Sequence, residues 1–533
     1  MKNKKKRKYL NKKLRLNLLF ILFLFYATSG HAQTSYFETS TPEAQGMSSL
    51  NILKFIDRLE AEIDAVHSFM IIRHGKLVSQ GWWDPYQSDV PHMMNSVSKS
   101  FISTAIGFAI QENIISLDDL AISFFPNKVN DNHSWHWNEM RVKDLLAMNT
   151  GHLKQPVPVA MYSGKVDWNP DIQNELGNID WNTDWVKYFF DSKVDFMPGT
   201  HWMYNTMASN VLAAIIKKAT GQDVVDYLDS RFFKPLGIDK PAWDRFSGGN
   251  TGWGICAKTE DIAKLGQFYL QKGKWNGIQL LNADWIDLAT SKQSSNGSNP
   301  DNDFTQGYGY QFWLSRHNSY RADGLFSQFS LILPDQDLVI AITSGSNDMV
   351  GVMNIAWETL LLELSESSLP ASKKNYNLLK KKTKGLALRP VVGELSNVRE
   401  NISGRLFEFE IDELNRYSMK LDLNSKNHEI ELFNGENNQI IKVGFNMYEK
   451  SDMIFRLPHT ERKAYLQGEE YKIAASGAWS QPNEYKLRIY FYSSTASMDY
   501  TFIFEEDKLI WKTDFRHLLD LSNGDSKTIE IEF

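Results

Sequence analysis

The stretch Asn95-Ser96-Val97-Ser98-Lys99-Ser100-Phe101 stands where β-rich sequence gives way to helical sequence. Residues i and i+3 share one face of a helix, so a serine in the first turn and a lysine one turn later bring an ammonium beside a hydroxyl. That cation and the positive end of a helix both stabilise an alkoxide. A lysine withdrawn from water also gives up its proton more readily and can itself act as the base. Ser-x-x-Lys begins many ordinary helices, so the tetrapeptide alone is a weak signal, although the chain holds a single copy.

A second polar stretch, Pro198-Gly199-Thr200-His201-Trp202-Met203-Tyr204-Asn205-Thr206, makes a turn ahead of an apolar helical run. A tyrosine so placed can relay a proton between nucleophile and leaving group if lysine charge lowers its pKa. Taken alone, it reads equally as a buried tyrosine with a satisfied hydroxyl.

Leu145-Leu-Ala-Met-Asn-Thr-Gly151, Ser116-Leu-Asp-Asp119 and the stretch from Gly252-Trp-Gly254 through Trp275-Asn-Gly277 add context. With them, residues 45–360 resemble the serine β-lactamase, penicillin-binding protein and esterase family, in its class C-like branch. The resemblance implies an α+β fold in which an antiparallel sheet flanked by helices faces an all-helical lobe. It implies Ser96 as nucleophile, Lys99 as its partner and Tyr204 as the catalytic tyrosine. The family's Tyr-x-Asn stands here as Tyr204-Asn205-Thr206, a form similar to that of esterases and aminohexanoate-oligomer hydrolases. Its third motif, Lys-Thr-Gly or His-x-Gly, stands here as Ala322-Asp323-Gly324, with no cation to greet a β-lactam carboxylate. Asp323 would repel that carboxylate if it faced the groove. Ester or amide hydrolysis through an acyl-enzyme on Ser96 is therefore expected, with no cofactor and no metal. The oxyanion hole is expected from the Ser96 N–H and a second N–H on the strand after Gly324, with Leu325 the leading candidate. A small-molecule ester or amide, or an acylated glycan, is the expected substrate. The alternative is a non-turnover penicillin-binding sensor, or a partner-binding protein, on the same fold.

The periodicity around these motifs is mixed. Helical spacing covers Ser48–Ile63, Ser96–Gln111, Val142–Met148, Asn210–Lys218, Asp223–Phe232, Thr259–Leu270 and Gly351–Leu364, and a hairpin is expected about His74-Gly75. Strands are expected at Gly307–Trp313, Ser327–Leu333 and Leu338–Thr343. The Ser-, Lys- and Asn-rich residues 365–395 read as a linker between a hydrolase domain (33–364) and a β-rich, barrel-like domain (396–533). Trp82, Trp83, Trp135, Trp137 and Trp202 are candidates to line a groove. His133-x-x-His136, with His152 and His201, has ligand-like spacing but no His-Glu-x-x-His, and there is no Gly-x-Ser-x-Gly elbow.

Residues 1–32 read as a signal peptide, with a basic start, an apolar run from Leu16 to Tyr26 and small residues around Gly30-His31-Ala32. The apolar run is about half the roughly 20 residues that span a bilayer, so no integral membrane span is expected after cleavage. An exported protein, periplasmic or secreted from a bacterial envelope, is the expectation, and the single Cys256 excludes an intrachain disulfide. Residues 1–32 hold nine Lys/Arg and no Asp/Glu, so their removal takes the formal charge from −6 to −15. Such acidity argues against nucleic acid as partner.

Overall fold

The structure, a computed structural model, describes residues 36–128, 135–156, 184–246, 248–412, 415–424, 427–433, 438–453, 471–516 and 527–532. The expected signal peptide lies outside the described residues, as does His133. Along the chain run α1 (Ser49–Glu62), β1 (Val66–Arg73), β2 (Lys76–Trp82), β3 (His92–Met93), α2 (Ser98–Gln111), α3 (Val142–Leu146), α4 (Trp185–Asp191) and α5 (Thr206–Thr220). There follow α6 (Val224–Leu228), β4 (Ala242–Phe246), β5 (Gly249–Ala257), α7 (Thr259–Leu270), β6 (Lys274–Trp275), β7 (Ile278–Gln279) and α8 (Ala283–Thr290). Next come β8 (Trp313–Ser315), β9 (Ser319–Gly324), β10 (Gln328–Leu333), β11 (Leu338–Ser344), α9 (Met349–Leu360), α10 (Lys373–Lys384) and α11 (Arg399–Ile402).

Strands from both ends of this stretch meet in one antiparallel sheet of order β2-β1-β11-β10-β9-β8. Its Val, Ile, Leu and Phe residues are buried on both faces, which is why β1, β10 and β11 read as nearly continuous apolar runs. α1 and α9 cover one face, where Phe55, Leu59, Phe69, Leu331, Ile340, Val352 and Trp357 share a core. α7 lies on β1, β10 and β11, and the Ser330 hydroxyl donates to its Ile262 carbonyl at 2.8 Å. The remaining helices, centred on α2 and α5, form the helical lobe, and α5 packs on β5 and on α2, α3 and α4.

Helix limits follow local chemistry. Ser48 caps α1 and Asn205 caps α5, its side chain accepting from Met207 N and Ala208 N. Gly221, at φ 74°, ends α5 in the left-handed conformation. His74 and Gly75, both at positive φ, turn β1 into β2 as expected. Gly307–Trp313 differs from expectation, because only Trp313 enters a strand. The carbonyls of Tyr308 and Tyr310 go instead to Gln293 N, Ser294 N and the Ser103 hydroxyl, and Gln311 takes φ 63°.

The β-rich region runs β12 (Leu406–Asp412), β13 (Asn415–Asp422), β14 (Asn427–Phe433), β15 (Asn438–Gly444), β16 (Glu449–Met453), β17 (Tyr471–Gln481), β18 (Glu484–Phe491), β19 (Ser497–Phe504), β20 (Lys508–Arg516) and β21 (Lys527–Glu532). These ten strands form one sheet whose first and last members, β12 and β21, approach one another. The sheet curls into a nearly closed barrel around Met419, Leu432, Trp479, Tyr485, Phe502 and Trp511. Residues 365–395, expected to be a linker, instead carry α10 on the first core. Leu379, Leu386 and Leu388 join that core, and Lys382 pairs with Asp57 and Glu60 of α1 at 2.7 Å. No helix among the described residues is long and apolar enough to cross a membrane.

Two buried histidines are held neutral. The His92 Nδ1–H donates to the Met93 carbonyl at 2.8 Å and its Nε2 meets His67 Nδ1 at 3.0 Å, while His152 lies between the Thr150 and Ser192 hydroxyls. Burial pushes both rings down to about 4. The unfolded chain then binds more protons than the folded one between about pH 6.5 and 4. Stability is therefore full above that window and is lost as pH falls through it, on the order of 3 kcal/mol for each ring. Urea unfolding at about pH 7 and pH 4.5 checks this, and His92→Gln is expected to flatten the dependence.

Candidate active site

Ser96 sits in a three-residue 3-10 turn, Asn95–Val97, that leads into α2. Asn95 takes φ 48°, uncommon for a residue with a side chain, and the conformation lifts Ser96 into partial exposure while its neighbours stay buried. Backbone and side-chain ties fix the turn. Met94 N–H donates to the Ile255 carbonyl at 2.9 Å, Ser98 Oγ–H to the Asn95 carbonyl at 2.7 Å, and Asn95 Nδ2–H to the Leu325 carbonyl at 2.8 Å.

One helical turn on, Lys99 is 2% exposed and aims its Nζ at Ser96 Oγ (3.0 Å) and the Gly252 carbonyl (2.9 Å). Asn210 Oδ1 accepts the Gly252 N–H at 2.8 Å, so a side chain of α5 ties down the β5 residue whose carbonyl receives the lysine. Burial pulls the Lys99 amine down from 10.5 to about 7, and the charge of Asp323 only partly opposes this. At neutral pH a large share of the amine is therefore without its proton.

Tyr204 lies across the groove, its ring centroid 5.1 Å from Lys99 Nζ and stacked on Trp313 at 5.4 Å. The loop that bears it rests on the Leu145–Gly151 segment: Gly199 N–H donates to Asn149 O, Met203 N–H to Met148 O, and Asn205 Nδ2–H to Thr150 Oγ1. Gly151, at φ 76°, passes so close to Phe196 that a Cβ would stand 2.1 Å from its carbonyl oxygen. Asn205 is buried as the helix cap, which explains its shift from the third position of the tyrosine motif; Thr206 fills that place.

The end of β9 closes the site. A Cβ on Gly324 would stand 2.2 Å from the Met94 carbonyl oxygen, so only glycine lets the strand lie against the serine turn. Leu325 falls not on a strand but in the tight β9–β10 turn, where Phe326 and Ser327 both adopt φ 65°. Asp323 is the middle residue of Ala322-Asp323-Gly324, the third motif without its cation. It is 8% exposed and accepts from Arg321 Nε at 2.7 Å, so its charge is met within the protein. Burial raises its carboxyl, against the pull of Arg321 and Lys99.

Of the five tryptophans, only Trp202 is placed with Tyr204, through Trp313 and Tyr308 (5.7 and 6.0 Å). Trp83 packs on Phe69, Trp137 on Phe189 and Phe190, and Trp135 is exposed. His136 stacks on Trp135 and His201 on Phe196, apart from His152. Sequence reading missed Trp313 and Phe304, which lie 5.2 Å apart in the same aromatic wall, and Arg321 behind them.

Residues 56–363 match the sequence model of the beta-lactamase family. The chain belongs to that family. An uncharacterized protein of Alkalihalophilus pseudofirmus is 24% identical over 262 residues, which are 44% of this chain and 66% of that protein. The 6-aminohexanoate-dimer hydrolase of Paenarthrobacter ureafaciens is 20% identical over 293 residues, 53% of this chain and 73% of the relative. A penicillin-binding protein homolog from Caulobacter crescentus covers 61% of this chain and 99% of its own, at 13% identity and a TM-score of 0.45. The beta-lactamase-family domain thus carries the Ser96, Lys99 and Tyr204 cluster, while β12 to β21 lie beyond the matched residues.

Gly324→Ala is expected to lower the kcat/KM of any ester turned over by at least about tenfold, because the added methyl must push β9 from the serine turn. Kinetics with p-nitrophenyl acetate, beside thermal melting, check this.

Proposed function

We propose that this beta-lactamase-family hydrolase cleaves a neutral ester or amide through an acyl-enzyme on Ser96. The carrying observation is a buried lysine, its amine pulled down to about 7, within hydrogen-bond reach of a partly exposed serine. In the neutral amine one N–H stays on the Gly252 carbonyl and the lone pair accepts the Ser96 proton as Oγ attacks the substrate carbonyl. The oxyanion gathers at the N–H groups of Ser96 and Leu325. Tyr204 passes the proton to the departing alcohol or amine, and water then takes the acyl group from Ser96, returning the proton to its oxygen.

The wall of Trp202, Tyr204, Phe304 and Trp313 suits apolar or aryl flanks on that carbonyl. The name of the Paenarthrobacter relative supports including short amides. Arg321 gives its Nε–H to Asp323, which argues against a β-lactam carboxylate as its partner. We extend the proposal to export, the basic and apolar N-terminus acting as a cleaved signal.

Intact-mass analysis after a fluorophosphonate, a p-nitrophenyl ester and a penicillin tests the reading. One fluorophosphonate adduct, lost in Ser96→Ala together with at least about 10³-fold of ester turnover, is the expected result. A penicillin adduct that persists without ester turnover would replace the hydrolase reading by a sensor. No adduct with any probe would remove the nucleophile.

A further inference from the structure

Hairpin tips usually face water, but the tip between β18 and β19 does not. Ser494, Thr495, Ala496 and Ser497 are each at most 1% exposed. Tyr490 and Tyr492, at its base, belong to the core of the first sheet rather than to the barrel's own.

The tip meets β3, the short strand that Met94 joins to the serine turn. β3 pairs with β5 on one edge, His92 opposite Ala257 and Met93 opposite Cys256. Its outward Met93 N–H donates to the Ser493 carbonyl at 3.0 Å. The Ser494 carbonyl accepts the Tyr86 hydroxyl at 3.2 Å, and the Tyr86 ring stacks on His67 at 3.6 Å. His67 in turn meets His92 at 3.0 Å. The segment leading to Ser96 is therefore held on one side by its own domain and on the other by the barrel.

We propose that the barrel's β18–β19 tip is a positioning element of the active site: through Ser493, Ser494 and Tyr86 it sets β3, and so the place of Ser96. This rests on the reading of Ser96 as nucleophile. A barrel that only binds a partner or adds bulk would not need its tip sealed against the strand before the serine turn. A fixed serine turn matters because a displacement of about 1 Å at a reacting atom costs about 10²-fold in rate.

The test uses the full chain with two substitutions at the contact. Thr495→Lys puts a charge into the buried tip that carries the Ser493 and Ser494 carbonyls, and Tyr86→Phe removes only the bond to Ser494. Arg516→Gln, which breaks the barrel's surface contact with Asp64, serves as control. Fluorophosphonate labelling of Ser96, p-nitrophenyl acetate kinetics, hydrogen exchange of residues 92–100 and melting are measured on each. Thr495→Lys is expected to slow labelling and kcat at least about tenfold with KM within about twofold, and Tyr86→Phe about threefold with the melting temperature lowered by only about 3 °C. Exchange at residues 92–100 should quicken in both, and the control should match wild type. Labelling within about twofold of wild type in both variants, or unchanged exchange at 92–100, overturns the proposal; should Thr495→Lys fail to fold, Tyr86→Phe decides alone. Wild type that never labels would instead overturn the nucleophile, and the exchange comparison would still judge the tie.

Discussion

Lys99 reaches back along its helix to the Ser96 hydroxyl and the Gly252 carbonyl, and most of the site consists of backbone arranged to hold those two oxygens there. An amine moved from 10.5 to about 7 has its charged form disfavoured by roughly 5 kcal/mol. Perturbations of this kind gather at functional sites. Asn210 fixes Gly252, Ser98 and Asn95 fix the serine turn, and Gly324 allows β9 to lie against Met94. Each tie comes from a different element, so the geometry depends on the junction of sheet and helical lobe rather than on one motif.

The local chemistry of this site was largely legible in sequence. Ser-x-x-Lys at a helix start put the amine beside the hydroxyl, and the turn at Pro198–Gly199 ahead of an apolar run put Tyr204 before α5. What escaped was what depends on contacts distant in sequence. Nothing near Trp313 marks it as the partner of Tyr204, because they meet only once β8 folds beside the tyrosine loop. The burial of Asp323 against Arg321 follows from period-two spacing on β9, which short-range reading treated as a third motif without its cation. Residues 365–395 looked like a linker because their surface is rich in Lys and Ser. Leu379, Leu386 and Leu388 nonetheless find an apolar floor formed by α1 and the sheet.

That segment and the buried hairpin tip give the barrel a relation to the hydrolase core unlike that of a tethered module. Ala474, Tyr490 and Tyr492 lie in the core of the first sheet, and Arg516 and Lys450 pair with Asp64 and Asp84 on its surface. Exposed ion pairs contribute little, about 0–1 kcal/mol each, so the apolar contacts and the hydrogen-bonded carbonyls of Ser493 and Ser494 carry the attachment.

The pH dependence of the rate at which a fluorophosphonate labels Ser96 bears most directly on the neutral lysine. If the buried Lys99 amine takes the serine proton, the rate rises with pH through a midpoint near 7 and is level by about pH 8.5. A rate that is flat from about pH 5 to 9, or that still climbs tenfold per unit at about pH 9.5 as for an ordinary lysine near 10.4, would contradict that role for Lys99.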